Sequence, residues 1–123
     1  MTHILLVDDE PSIREFLRVV LSEAGYSVAM AADGEQALNV PGSFDLLLTD
    51  LRMPRMTGDE LARRMRLRDP ELKVLYLTGY SDSLFEAKGH LWDGEAFLDK
   101  PATAEGVLEA IKMLLSEQVT ESS

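Results

Sequence analysis

At 123 residues the chain has the length of one domain, enough to bury roughly two-thirds of its unfolded surface. A hydrophobic content of 46% excludes a disordered polymer, and the absence of cysteine excludes disulfides and thiolate zinc sites. Twelve basic against 22 acidic side chains, a net charge of −10, argue against direct nucleic-acid binding by this chain, because phosphate contacts need a basic face. With no cysteine and no signal-like or membrane-spanning run, the expected location is cytoplasmic, with no membrane partner.

Ile4 to Val7 form a short apolar run that ends at once in Asp8-Asp9-Glu10-Pro11. Pro11 suits the first turn of a helix, and the acid before it suits an N-cap. Ile13, Phe16, Leu17, Val20 and Leu21 then recur at helical spacing, with Arg14, Glu15 and Arg18 on the opposite face, and Gly25 stops the helix. Val28 to Met30 predict a second strand. Asp33-Gly34-Glu35-Gln36 reads as a capping box for a short second helix that Pro41-Gly42 closes.

Leu46 to Thr49 predict a third strand, which runs into Asp50-Leu51-Arg52-Met53-Pro54. Thr57-Gly58-Asp59-Glu60 opens a third helix, with Leu61, Ala62 and Met65 facing inward and Pro70 beyond its end. Val74 to Leu77 form the fourth strand and lead into Thr78-Gly79. A fourth helix is expected across Ser81 to His90. Ala96 to Leu98 form the fifth strand, ended by Asp99-Lys100-Pro101. Thr103 then caps a last helix with Val107, Leu108, Ile111 and Leu114 inward, and Glu117 to Ser123 form a polar tail.

Strands alternating with helices predict an α/β fold with a parallel sheet covered on both faces. Right-handed crossovers gather the strand carboxyl ends on one edge. Asp8, Asp9, Asp50, Thr78 and Lys100 would meet there. Taken singly, an Asp that opens a loop is more often a turn residue, and a surface Lys is ordinary. What distinguishes this set is that all the strand ends concerned carry chemically useful groups.

In these motifs the chain resembles the receiver domain of two-component response regulators, either a stand-alone single-domain receiver or one from a hybrid kinase. The resemblance runs from His3 to Leu115 and rests on Val7-Asp8-Asp9-Glu10, on Asp50 to Pro54 with Met56 and Gly58, on Leu77-Thr78-Gly79 and on Phe97 to Pro101. It implies a flavodoxin-like (βα)5 doubly wound sheet of strand order 2-1-3-4-5, with the receiver at 1–116 and the tail at 117–123. It further implies that Asp50 is the phosphoacceptor. The implied cofactor is Mg²⁺, held by Asp8, Asp9, Asp50 and the backbone carbonyl of Arg52. Thr78 and Lys100 would stabilise the phosphoryl group, and Thr78 with Phe97 would act as the switch. The implied donor is a histidine kinase or a histidine phosphotransfer protein. The implied readout is a changed face of the fourth helix, fifth strand and last helix. The Lys100–Pro101 bond is cis in the family. The expected molecule is a monomer or weak homodimer that catalyses only its own phosphorylation and dephosphorylation.

Two departures from the common pattern matter. Asp93-Gly94 replaces the frequent Gly-Ala before the fifth strand, and Ala102 stands where many receivers carry Phe after the Lys-Pro pair. Arg52 and Tyr80 occupy variable positions from which their side chains could overhang the phosphoryl group and modulate its loss. Among competing functions, an aspartyl-phosphate phosphatase of the haloacid-dehalogenase type would want Asp-x-Asp at its nucleophile strand, and neither acidic strand end supplies it. A flavin mononucleotide protein would want a Ser/Thr/Gly-rich loop after the first strand. A receiver-fold docking module that works without phosphorylation is the alternative, and the complete set of five site residues weighs against it.

Overall fold

A computed structural model describes residues 1–79, 94–100 and 102–122, with side chains through Ser116. Five strands lie in it, β1 (His3–Val7), β2 (Ser27–Ala31), β3 (Leu46–Asp50), β4 (Lys73–Thr78) and β5 (Glu95–Asp99). All pair in parallel, in the expected order β2-β1-β3-β4-β5. Among the described residues the helices are α1 (Pro11–Glu23), α2 (Gly34–Asn39), α3 (Gly58–Arg68) and α4 (Ala104–Ser122). The helix expected at Ser81 to His90, Tyr80 and the Lys100–Pro101 bond fall outside the described residues.

Alternation along each strand sends neighbouring side chains to opposite faces of the sheet, so the chain builds two cores. On one face Leu5, Val7, Leu47, Val74 and Tyr76 pack with Ala37 of α2 and with Leu61, Ala62 and Met65 of α3. On the other, Ile4, Leu6, Leu46, Leu48, Leu75 and Leu77 pack with Leu17 and Leu21 of α1 and with Val107, Ile111 and Leu114 of α4. Strands β1, β3 and β4 are therefore covered on both sides, which explains their nearly continuous apolar sequences.

The predicted capping signals resolve into specific bonds. Asp33 accepts from the Gln36 amide at 2.8 Å, and the Gln36 side chain accepts in return from the Ala32 amide at 2.9 Å. Thr57 caps α3 by accepting from the Glu60 amide at 3.4 Å, and Thr103 accepts from Gly106 at 2.9 Å. Gly25 follows the end of α1 with φ of +96°, the left-handed conformation that glycine adopts without steric cost.

Four local expectations need revision. Glu10 occupies the N-cap of α1, but its side chain makes no capping bond. Asp8 instead reaches two residues forward to accept from the Glu10 amide at 2.9 Å, the short side chain making a turn that a Glu cannot close. Arg14, expected on the solvent face, folds back onto the end of β1. Phe16, expected in the core, is 47% exposed. The backbone of α4 continues to Ser122 rather than ending near Ser116, since no Gly or Pro interrupts it after Gly106.

Candidate functional site

The strand register decides which side chains meet. Val7 pairs with Thr49 across β1 and β3, and Asp50 pairs with Leu77 across β3 and β4. Asp8 thus leaves the sheet beside the position where β3 ends in Asp50, and Thr78 ends the next strand. Thr78 is buried at 2% exposure and pairs with Asp99. The Lys100 amide donates to the Thr78 carbonyl at 2.8 Å, which holds the lysine at the same edge.

The Lys100 ammonium stands between two carboxylates, 3.3 Å from Asp8 Oδ2 and 3.3 Å from Asp50 Oδ2. Carboxylate oxygens of Asp8, Asp9 and Asp50 all lie within 4.8 Å of one another. Among the described residues, three carboxylates therefore gather around the Lys100 ammonium. Asp8 is 1% and Asp50 7% exposed, whereas Asp9 is exposed. Burial pushes the Asp50 carboxyl above its ordinary range, Lys100 pulls it back and Asp8 pushes it up again. Burial alone would lower the Lys100 pKa, but the carboxylates of Asp8 and Asp50 outweigh it and raise it. The site has more negative charge than its own lysine can offset.

The donors are hard oxygens at one solvent-accessible edge. Mg²⁺ takes such ligands, through one or two carboxylates with water and phosphate oxygen completing its shell. Asp8, Asp9 and Asp50 fit that ion by donor type and mutual spacing.

The loop after Asp50 is shaped tightly. Leu51 is 3% and Met53 8% exposed, so the loop is anchored inward while Arg52, Pro54 and Arg55 face out. The Arg52 amide donates to Asp50 Oδ1 at 3.4 Å. Met56 donates to the Pro54 carbonyl at 2.8 Å around Arg55, whose φ is +71°. That is a γ-turn, a strained conformation for a residue with a side chain. The Arg55 guanidinium reaches Asp33 at 3.3 Å, tying the turn to the start of α2. Gly58 returns the chain to Asp50: its amide donates to the Leu51 carbonyl at 2.8 Å. A Cβ at Gly58 would collide with the Asp50 carbonyl oxygen, so α3 can start this close to the strand end only with glycine.

Phe97 lies on the same face as Tyr76 and packs, partly buried, against the core under α2 and α3. Beside Lys100, a groove of about 430 Å³ is lined by Ile13, Phe16, Leu17, Leu77 and Ala102. The small Ala102 leaves open the space that a Phe at that position would fill.

Sequence reasoning foresaw Asp8, Asp9, Asp50, Thr78 and Lys100, and the structure gathers them at one edge. It missed Arg14, whose Nη1 donates to the Asp8 carbonyl at 2.5 Å. Nothing in helical periodicity marks that bond, because it depends on how far α1 swings back over β1.

The sequence profile of the response regulator receiver domain matches residues 4–112. The chain belongs to that family. The receiver is 39% identical over 123 residues to the response regulator MprA of Mycobacterium tuberculosis, covering 98% of this chain and 53% of that protein. It thus spans about half the length of the curated relatives it matches. Among solved structures it is 36% identical to the response regulator TrrA of Thermotoga maritima in complex with Mg²⁺ and BeF, with a TM-score of 0.81 over 94% of this chain and 100% of that one. The receiver domain of the hybrid histidine kinase CckA is 32% identical, with a TM-score of 0.78 over 92% of this chain and 98% of that one. Among the described residues of the receiver, no helix is long and apolar enough to cross a membrane.

Proposed function

We infer that the receiver is a phosphoacceptor in a two-component phosphorelay, with Asp50 as the residue that takes the phosphoryl group from a phosphohistidine of a kinase or phosphotransfer protein. The observation that carries this reading is the Lys100 ammonium shared between Asp8 and Asp50 at 3.3 Å each, inside a cluster of three carboxylates. Three carboxylates outnumber the Lys100 ammonium, so an arriving cation redresses the balance and leaves Lys100 to meet an incoming phosphoryl oxygen. Asp8, Asp9, Asp50 and the Arg52 carbonyl would hold Mg²⁺, which when bound neutralises the carboxylates and the charge on the phosphoryl oxygens.

In the transfer, the phosphorus–nitrogen bond of the donor breaks as an Asp50 carboxylate oxygen bonds to phosphorus. The imidazole keeps the electron pair and takes up a proton. Phosphoryl transfer proceeds mainly through positioning and charge neutralisation. Lys100 meets one equatorial oxygen, and the Thr78 hydroxyl donates to another. The new group adds roughly −1.5 to −2 charges at neutral pH. Drawing Thr78 towards it opens room for Phe97 to turn further inward, and the surface around β5 and α4 changes shape as a population shift between two arrangements. The receiver turns over no external substrate. Residues 1–116 form the signalling unit, with α4 continuing beyond it to Ser122, and the output lies with a partner or another domain.

Acetyl phosphate with Mg²⁺ tests the reading by intact mass. The wild-type chain is expected to gain one phosphoryl group and Asp50→Asn none. Absence of any gain with several donors would leave the phosphorylation-independent docking module standing instead. Arg52, beside the acceptor, and Tyr80 are assigned to control of phosphoryl lifetime, by restricting the attacking water. Arg52→Ala and Tyr80→Ala are expected to speed dephosphorylation severalfold, and unchanged rates in both would remove them from that role.

A further inference from the structure

Asp8 is fixed at four points; among the described residues Asp9 has no such bond. The Asp8 amide donates to the Ala31 carbonyl at 3.3 Å, and Asp8 Oδ1 accepts from the Glu10 amide at 2.9 Å. Asp8 Oδ2 meets Lys100 at 3.3 Å, and the Asp8 carbonyl accepts from Arg14 Nη1 at 2.5 Å. The Asp9 carboxylate is exposed and contributes to the cluster from a turn. Its direction is set by the backbone that carries it.

The Asp8 carbonyl and the Asp9 amide belong to one planar peptide unit. A guanidinium bonded to that oxygen fixes the rotation of the plane, and with it the direction in which the Asp9 side chain leaves the chain. Arg14 is itself anchored, since its amide donates to the Glu10 carbonyl at 3.0 Å in the first turn of α1. Arg14 is half-buried, and charge-assisted bonds of this kind are stronger than neutral ones.

We propose that Arg14 is a positioning residue for cation binding: by clamping the Asp8–Asp9 peptide it holds the Asp9 carboxylate ready for a divalent ion. The inference rests on the metal reading given above and adds to it the residue that orders the exposed ligand. Charge alone argues the other way, because a guanidinium near three carboxylates repels a cation. Removing Arg14 therefore tightens Mg²⁺ binding if only its charge matters and weakens it if its hydrogen bond matters. The two effects have opposite signs.

The test is Mg²⁺ titration of the unphosphorylated full chain by calorimetry, with amide exchange at Glu10 measured without metal. Arg14→Met removes the donor and the charge; Arg14→Lys keeps a charged donor. Arg18→Met removes a helix arginine that pairs with Glu15 at the surface. Arg14→Met is expected to weaken Mg²⁺ binding about tenfold, the usual cost of losing a residue that orients a ligand, and to speed exchange at the Glu10 amide, which is bonded to Asp8 Oδ1. Arg14→Lys is expected to recover most of that loss, and Arg18→Met to behave as wild type. Unchanged or tighter Mg²⁺ binding in Arg14→Met overturns the proposal while leaving the metal site intact. A wild-type chain that binds no Mg²⁺ overturns the metal reading itself, and this one with it.

Discussion

The receiver buries charge at both ends of its sheet, and the two ends treat it differently. At the amino-terminal end of β5, the Glu95 carboxylate, 2% exposed, accepts from Arg66 Nη1 at 3.1 Å and from the Tyr76 hydroxyl at 3.2 Å. Arg66 also donates to the Leu72 carbonyl, from Nε at 3.1 Å and from Nη2 at 2.8 Å. There a buried anion has its own cation and a neutral donor. At the carboxyl end, Asp8, Asp9 and Asp50 share Lys100. The first cluster is balanced within the protein and joins α3, β4 and β5; the second is left short of positive charge. Imbalance, rather than burial as such, is what separates a site from a structural network.

That contrast can be broken by substitution, and the largest effect belongs to the balanced end. Arg66→Met leaves Glu95 buried without its guanidinium and is expected to cost about 3 kcal/mol of stability in urea unfolding. A loss under about 1 kcal/mol would mean that the pair behaves like an exposed one. Tyr76→Phe removes the hydrogen bond to Glu95 and should cost about 1 kcal/mol. It also carries a pH signature. Burial, reinforced by Glu95, pushes the Tyr76 hydroxyl up from its ordinary value of 10.0. The unfolded chain then loses its tyrosine proton first as the pH climbs past 10. The contribution of Tyr76 to stability is thus complete below that pH and declines above it. Unfolding midpoints of wild type and Tyr76→Phe should converge with rising alkalinity, and a constant gap would refute the assignment.

The smallest effect has the opposite sign and sits at the unbalanced end. Because burial raises the Asp50 pKa above its ordinary value of 3.8, the folded state holds that proton longer than the unfolded chain. Stability from this group therefore declines as pH rises from about that value through the raised one. At neutral pH the ionised carboxylate is a net burden on the metal-free receiver. Asp50→Asn should raise its thermal midpoint slightly in the absence of divalent ions, read by scanning calorimetry. A lower midpoint would show that the Lys100 pair outweighs burial.

The balanced and unbalanced ends also differed in how far they could be read from residues alone. Asp8, Asp50, Thr78 and Lys100 were legible because each directly follows or ends an apolar strand, and parallel topology sends such residues to one edge. Alternation of elements gave the parallel α/β sheet, and the strand order came from the resemblance. The Arg66–Glu95 pair was not legible: its partners lie 29 residues apart, and their meeting depends on the packing of α3 against β5. Arg14 and Phe16 show the limit of helical periodicity, which gives a face but not how that face is seated. The turn at Arg55 could not be read either, since a left-handed conformation at an arginine leaves no compositional sign.

The bond between Lys100 and Asp8 joins positions 92 residues apart, from the first strand of the sheet to just beyond its last. A nascent chain emerging from the ribosome carries both acidic strand ends long before the lysine is made. The Lys100 ammonium reaches the acceptor edge only when β5 pairs with β4. A copy whose β5 has not docked therefore lacks the Lys100 ammonium between Asp8 and Asp50.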